Sequence, residues 1–330
     1  MEKPRRYRSL FWPMVLIAVG LVWLLSNLGI VRPTSIGALV AFWPLILIFI
    51  GLDVLFGRRS QVIGGLIGLL AVATVVIVLV AGPSLGLPSS AVGTLQTRTI
   101  TEPVGAATAA DINLSFSSEP VQVHPAASAA NLLEAKIKYY GSLAYASNGN
   151  PTRHITLSSS GNFFFFPFFT TGDASWDIGL NPKVPANLHL DGGSGSQNLD
   201  LAELNLTAFF LDQGSGSVDG TLPASTAPYT AEFQQGSGSL SMTLPASANL
   251  TVRLTGGSGS IDLNLPAGAA VRLEVRSSGS CSVSFPQGLS QTTTGSNSKE
   301  GVWQTSGYDQ AAFKLNIICE DLGSGSFSLN

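Results

Sequence analysis

From about residue 186 to residue 286 the chain repeats one phrase: alternating apolar and polar residues, a glycine–serine turn, then alternation again. The turns read GGSGS at 192–196, GSGS at 214–217 and 236–239, GGSGS at 256–260 and SSGS at 277–280, with a further GSGS at 323–326. Their inner glycines, Gly195, Gly216, Gly238, Gly259 and Gly279, stand 21, 22, 21 and 20 residues apart, and Gly325 is the matching residue of the last copy. Beyond each turn the apolar positions recur: Leu240, Met242 and Leu244, then Ile261, Leu263 and Leu265, then Cys281, Val283 and Phe285. A period of two sends these residues to one face of a strand and Ser, Thr, Asp and Asn to the other. Pro223, Pro245, Pro266 and Pro286 follow, where a residue without an N–H ends a strand. Each repeat therefore predicts two short strands joined by a small-residue corner, in which glycine permits φ > 0. One such unit cannot bury its apolar face alone, so the period predicts the stacked rungs of a β-solenoid.

Ahead of the repeats lie three apolar segments, at about 10–30, 36–56 and 62–81, each near the ~20 residues that cross a hydrocarbon core. No A-x-A-like site follows the first, and two more segments come directly after it, which argues against a signal peptide. Lys3, Arg5, Arg6 and Arg8 on one side and Arg58–Arg59 on the other bracket a loop holding only Arg32. The excess of basic residues on cytoplasmic loops then places the N-terminus in the cytoplasm. Three crossings carry the β domain to the extracytoplasmic side. The expected architecture is a membrane-anchored all-β protein: three N-terminal transmembrane helices in an anchor over 1–82, a Pro/Gly/Ser linker over 83–94, and a β-solenoid of about 21-residue repeats over 95–330. The regular repeats occupy 186–286 and the last rung 313–329. Ile112, Leu114 and Phe116, with Val121 and Val123 around SSEP, read as a degenerate first rung, and a polar loop at 287–312 interrupts the array.

Composition sharpens the division. Residues 1–82 carry seven Lys/Arg and two acidic residues, whereas 83–330 carry ten and eighteen. An acidic, Ser/Gly-rich β domain offers no basic face to phosphates, which argues against nucleic acid. Cys281 and Cys319 both fall at apolar positions of a strand pattern, the pattern of two buried thiols; whether they pair is open.

The first two apolar segments repeat each other. FWPMVLIAVGLVWLL (11–25) and FWPLILIFIGLDVLF (42–56) align at an offset of 31 and share Phe-Trp-Pro, Leu-Ile and Gly-Leu. This pair resembles the LiaI/LiaF-type transmembrane region. The Gly/Ser-cornered array, with Trp176 in SWDIGLNPKVPANLHLDGGSGS, resembles the toast-rack β domain and the related adhesin-type repeats of LiaF-like cell-envelope stress proteins. The resemblance implies a toast-rack-like fold and a non-enzymatic, membrane-held modulator of a sensor histidine kinase. LiaF itself is expected to have four spans and a cytoplasmic β domain, where three spans are counted here. A surface adhesin or structural envelope protein with no signalling role is the alternative. The partners expected are the lipid bilayer and a membrane histidine kinase or another envelope protein.

Candidate chemistry adds little to this. No Gly-rich turn has the strand–loop–helix setting or the lysine of a phosphate loop. In GGSGSID (256–262) Ile261 stands where a calcium-binding nonapeptide would have its aspartate. His124, His154 and His189 stand apart from Cys, Asp and Glu at zinc spacing, and no G-x-S-x-G elbow precedes a helix. The expectation is of no catalytic, cofactor or metal residues. The conspicuous segment is GNFFFFPFFTTG, with Phe163, Phe164, Phe165, Phe166, Phe168 and Phe169. These rings either cap an open end of the solenoid or form an exposed patch for lipid or a partner.

Overall fold

A computed structural model describes residues 13, 16, 20, 43–56, 61–81, 95–160 and 174–330. They fall into two compact units, one holding the helices and the other the β domain from Leu95 onward. In the first unit α1 runs Trp43–Leu55 and α2 Gln61–Ala81, without a charged residue in α2. Leu47, Val54, Leu66, Leu69 and Ile77 each leave more than half of their surface exposed, as side chains meant for lipid rather than water do. Counting described side chains alone, no helix is long and apolar enough to cross a membrane. The structure thus shows two helices where three spans were expected, because most of the first segment, 10–30, lies outside the described residues.

The second unit is built from two sheets, one of ten strands and one of eleven. A rung is one strand from each sheet joined at a corner. In order along the stack, the rungs are β6 (Thr152–Ser160) with β7 (Ser175–Leu180), β2 (Ala109–Phe116) with β3 (Val121–Pro125), β8 (Ala186–Gly192) with β9 (Gln197–Asp200), and β10 (Leu206–Gln213) with β11 (Ser217–Thr221). Then come β12 (Ser225–Gln235) with β13 (Ser239–Thr243), β14 (Ala248–Thr255) with β15 (Ser260–Asn264), β20 (Leu315–Asp321) with β21 (Ser326–Leu329), and finally β16 (Val271–Val275) with β17 (Ser282–Ser284). Within each sheet these strands pair in parallel.

Register puts like on like. Ile155, Ile112, Leu188, Phe209, Ala231, Val252, Ile317 and Leu273 form one continuous column, every member no more than 1% exposed. Large and small residues compensate between columns. Ala231 sits above Phe209, and Phe233, two residues on, turns its ring edge-on to Phe209 at 5.7 Å between centroids. In the opposite sheet Gly220 leaves the room that the Met242 sulfur and Leu199 fill.

The spatial order departs from the sequence order at both ends. The array over 186–286 was expected to stack contiguously with 313–329 last. Instead β20–β21 is inserted between β14–β15 and β16–β17. At the other end β2–β3 lies between β6–β7 and β8–β9, which are neighbours in sequence. The ends are closed by antiparallel strands. β4 (Asn131–Tyr139) pairs with β7, and β1 (Gln96–Pro103) with β4; β5 (Ser142–Asn148) pairs with β6. At the far end β19 (Gly301–Thr305) pairs with β16, and β18 (Leu289–Thr294) with β19. The region read from sequence as a polar loop, 287–312, therefore contains two strands. Its alternation is weak because β18 is solvent-exposed along nearly its whole length.

Candidate functional site

The corners are the most regular feature of the β domain, and their glycines stack. A Cβ on Gly216 would lie 1.9 Å from the Gly195 carbonyl oxygen, one on Gly238 1.7 Å from that of Gly216, one on Gly259 1.9 Å from that of Gly238, and one on Gly325 1.7 Å from that of Gly259. Close approach between rungs, rather than φ > 0, is what these positions need. Among the six corner glycines Gly279 alone has positive φ, at 52°. It also leaves the column, packing on the Gly323 oxygen instead of on Gly325. The freedom to adopt φ > 0 that glycine brings to a corner is used at Gly279 and at Gly323, where φ is 62°.

The ladder continues around the bend. Ser215 N donates to Gly193 O, Ser237 N to Gly214 O, Ser258 N to Gly236 O and Ser324 N to Gly257 O, at 2.8 to 3.1 Å. Ser239, Ser260 and Ser326 donate in the same way to Gly216, Gly238 and Gly259. With the amides engaged in the stack, the serines are left to line an open groove of about 730 Å³ along the corner. Its walls are two serine columns, Ser194, Ser215, Ser237 and Ser258 beside Ser196, Ser217, Ser239, Ser260 and Ser326, over the stacked glycines. Rungs repeat every ~4.8 Å, so the groove presents hydroxyls at that interval. Each hydroxyl both donates and accepts, and none of the lining residues titrates near neutrality. The groove suits hydrogen bonding to an extended polar chain and supplies neither acid nor base.

Beneath the corner the interior is polar. Gln197, Gln213 and Gln235 are 3%, 1% and 5% exposed. Gln197 Nε2 donates to Gln213 Oε1, while Gln235 has neither amide atom satisfied among the described residues. The sequence analysis did not single out these glutamines, although alternation from Leu211 and Phe233 carries Gln213 and Gln235 to the inward face.

The phenylalanines from Phe163 to Phe169 lie outside the described residues, and the choice between cap and patch with them. Their place in the chain is informative. Residues 161–174 join β6 to β7, the step at which neighbouring rungs have a short Gly/Ser or SSEP corner.

The histidines are brought to partners remote in sequence. His124 Nε2 is 2.7 Å from Asp177 Oδ1 across β3 and β7. Partial burial lowers the His124 pKa, but the Pro125 carbonyl and the carboxylates of Asp177 and Asp200 outweigh it and leave the pKa raised. His154 is 3.4 Å from Asp111, and His189 meets the edge of Phe210. Tyr145 donates to Glu102 at 2.6 Å; burial and that carboxylate push its pKa up to about 12. Cys281 and Cys319 are buried and free, and burial raises both thiols. Among the described residues no three His, Cys, Asp or Glu side chains gather as metal ligands. None of these pairs was visible in the sequence, since their members come from different strands.

Comparison with known proteins bears on both units. Residues 10–55 match the LiaI-LiaF-like transmembrane region, and residues 91–243 match the N-terminal domain of toast-rack proteins. Both are non-catalytic structural or regulatory modules, and the first makes the chain membrane-anchored. No curated protein sequence matches it. Among solved structures it is similar to a candidate cell adhesion protein from Clostridium sporogenes ATCC 15579, at 15% identity and a TM-score of 0.46 over 72% of this chain and 99% of that one. It is also similar to a candidate adhesin from Bacteroides fragilis NCTC 9343, at 11% identity and a TM-score of 0.26 over 71% and 97%. Similarity at that level says nothing about what this chain binds. The chain thus joins a segment that matches the LiaI-LiaF-like transmembrane region to one that matches the N-terminal toast-rack domain, and in that combination it is similar to LiaF-like proteins.

Proposed function

We propose that this protein is a membrane-held regulator or scaffold of the cell-envelope stress response, acting by contact with a membrane sensor such as a histidine kinase. The observation that carries the reading is the covalent union of the two modules, a LiaI-LiaF-like transmembrane region and a toast-rack domain in one chain. A column whose rungs are locked by glycine-to-carbonyl contact transmits position rather than performing chemistry. The contact surface is assigned to the anchor helices and to Phe163–Phe169, the aromatic segment that replaces a short corner. Aromatic rings concentrate binding energy at interfaces. The anchor makes three crossings, with the N-terminus in the cytoplasm and the β domain outside.

Surface adhesion is the second reading. The serine-lined groove favours it, because periodic neutral hydroxyls suit an extended glycan.

Photo-crosslinking in intact cells separates the two. A photoreactive phenylalanine analogue at Phe165 or Leu47 is expected to capture a sensor kinase, identified by mass spectrometry. Adducts with lipid or wall glycan alone, from both positions, would overturn the regulatory reading in favour of adhesion.

A further inference from the structure

The rungs β6–β7 and β2–β3 meet at a junction that carries the attachment of one whole end of the stack. In the ten-stranded sheet β1 reaches the array only through β4, then β7, then β3. In the other sheet β5 reaches it through β6 and β2. The end block of β1, β4, β5, β6 and β7 is therefore paired to the array along β7 with β3 and β6 with β2. Each of these strand pairs sets one histidine against one aspartate. His124 of β3 lies 2.7 Å from Asp177 of β7. His154 of β6 lies 3.4 Å from Asp111 of β2, its partner in register. Among the described residues these are the ion pairs that cross the junction. The others use arginine and lie elsewhere: Arg153 with Glu102 inside the end block, and Arg253 and Arg276 with Glu320 and Glu274 on β14, β16 and β20.

The geometry at His124 fixes its charge. Nε2 faces the Asp177 carboxylate, and Nδ1 lies 2.8 Å from the Pro125 carbonyl oxygen. Both partners are acceptors and a neutral imidazole carries a single N–H, so only the imidazolium satisfies both. Burial alone would lower the pKa of the ring. The Pro125 carbonyl, Asp177, and Asp200 at the end of β9 on the other side of β3 raise it above the ordinary 6.5. Beyond β7, β4 sets Lys136 opposite Asp177 and Glu134 opposite Gly179; Glu134 is taken up by Asn131 and the Ser128 amide. Around His154, β5 contributes the neutral Asn148, β8 sets the neutral Asn187 against Asp111, and Arg153 pairs with Glu102. A pair as exposed as these contributes little by itself, but the two act on one junction, one in each sheet. We propose that this junction is a pH-sensitive latch, in which protonated His124 and His154 tie the end block to the array through Asp177 and Asp111. Opening the junction separates the pairs and returns His124 to its ordinary value. The contribution of His124 is then complete below about pH 6.5 and is lost as pH rises through the higher folded-state value. Acid tightens the link, and alkali loosens it.

Hydrogen exchange read by mass spectrometry on the full-length protein in membranes tests the latch, with rates corrected for the intrinsic pH dependence of exchange. Between about pH 5.5 and about pH 8 histidine is the side chain that titrates, and the remaining histidine, His189, meets Phe210 rather than a carboxylate. Protection of β2, β3, β6 and β7 is expected to be about twofold or more higher at the lower pH, with β12 to β15 unchanged. His124→Gln with His154→Gln keeps hydrogen-bonding side chains that do not titrate, and is expected to abolish the difference. Asp177→Asn with Asp111→Asn, which leaves both rings in place, is expected to do the same. Equal protection of the junction at both pH values, or a change as large in β12 to β15, would overturn the proposal. So would a difference that survives either pair of substitutions. The unmutated protein alone decides the first two outcomes, so the test stands even where a variant fails to fold.

Discussion

Gly238 illustrates how one atom decides the corner. Its missing Cβ leaves space that the Gly216 carbonyl occupies, so the rungs can hydrogen-bond through the bend as well as along the strands. A methyl group there cannot be relieved by a side-chain rotation, because the obstructing atom is backbone. Gly238→Ala is expected to destabilise the β domain by about 3 kcal/mol or more, at the upper end of single-residue effects. Ser237→Ala, next to it on the groove, is expected to stay within about 0.5 kcal/mol. Thermal unfolding of the two variants compares them directly; equal shifts would mean that the glycines do not set the spacing.

The rung is the next unit, and its logic is the period of two. Leu263 is fully buried in the column of Met242 and Leu329, while Asp262 beside it points outward between Ser241 and Ser328. An aspartate at 263 would place an unpaired charge among apolar columns, at a cost of several kcal/mol, so Leu263→Asp is expected to unfold the array. Asp262→Ser is expected to change stability by less than about 0.5 kcal/mol. Circular dichroism melts separate the outcomes, and comparable losses would refute the assignment of faces. The Phe209–Ala231–Phe233 exchange of bulk shows why such columns tolerate unequal residues: volume is conserved between neighbouring rungs rather than at each position.

At the scale of the whole molecule, topology is tested by labelling. Under the excess of basic residues on cytoplasmic loops, the clusters at 3–8 and 58–59 with the third apolar segment after them lead to the expectation that the domain lies outside. Cysteines introduced at Ser90 and Ser296 are accordingly expected to react with a membrane-impermeant maleimide in intact cells. Reaction only after lysis would place the domain in the cytoplasm. The apolar alternation, the Gly/Ser corners and the paired FWP segments were by themselves enough to identify a β array of stacked repeats on a LiaF-like membrane region, because strand period and hydropathy are local properties. Order along the stack is not local. Parallel pairing accepts any rung whose register and corner length agree, so only the folded structure decides that residues 313–330 enter between two earlier rungs and that β2–β3 lies between two later ones at the other end. The same holds for His124 with Asp177 and for His154 with Asp111, whose members meet because rungs are adjacent in space while far apart in the chain.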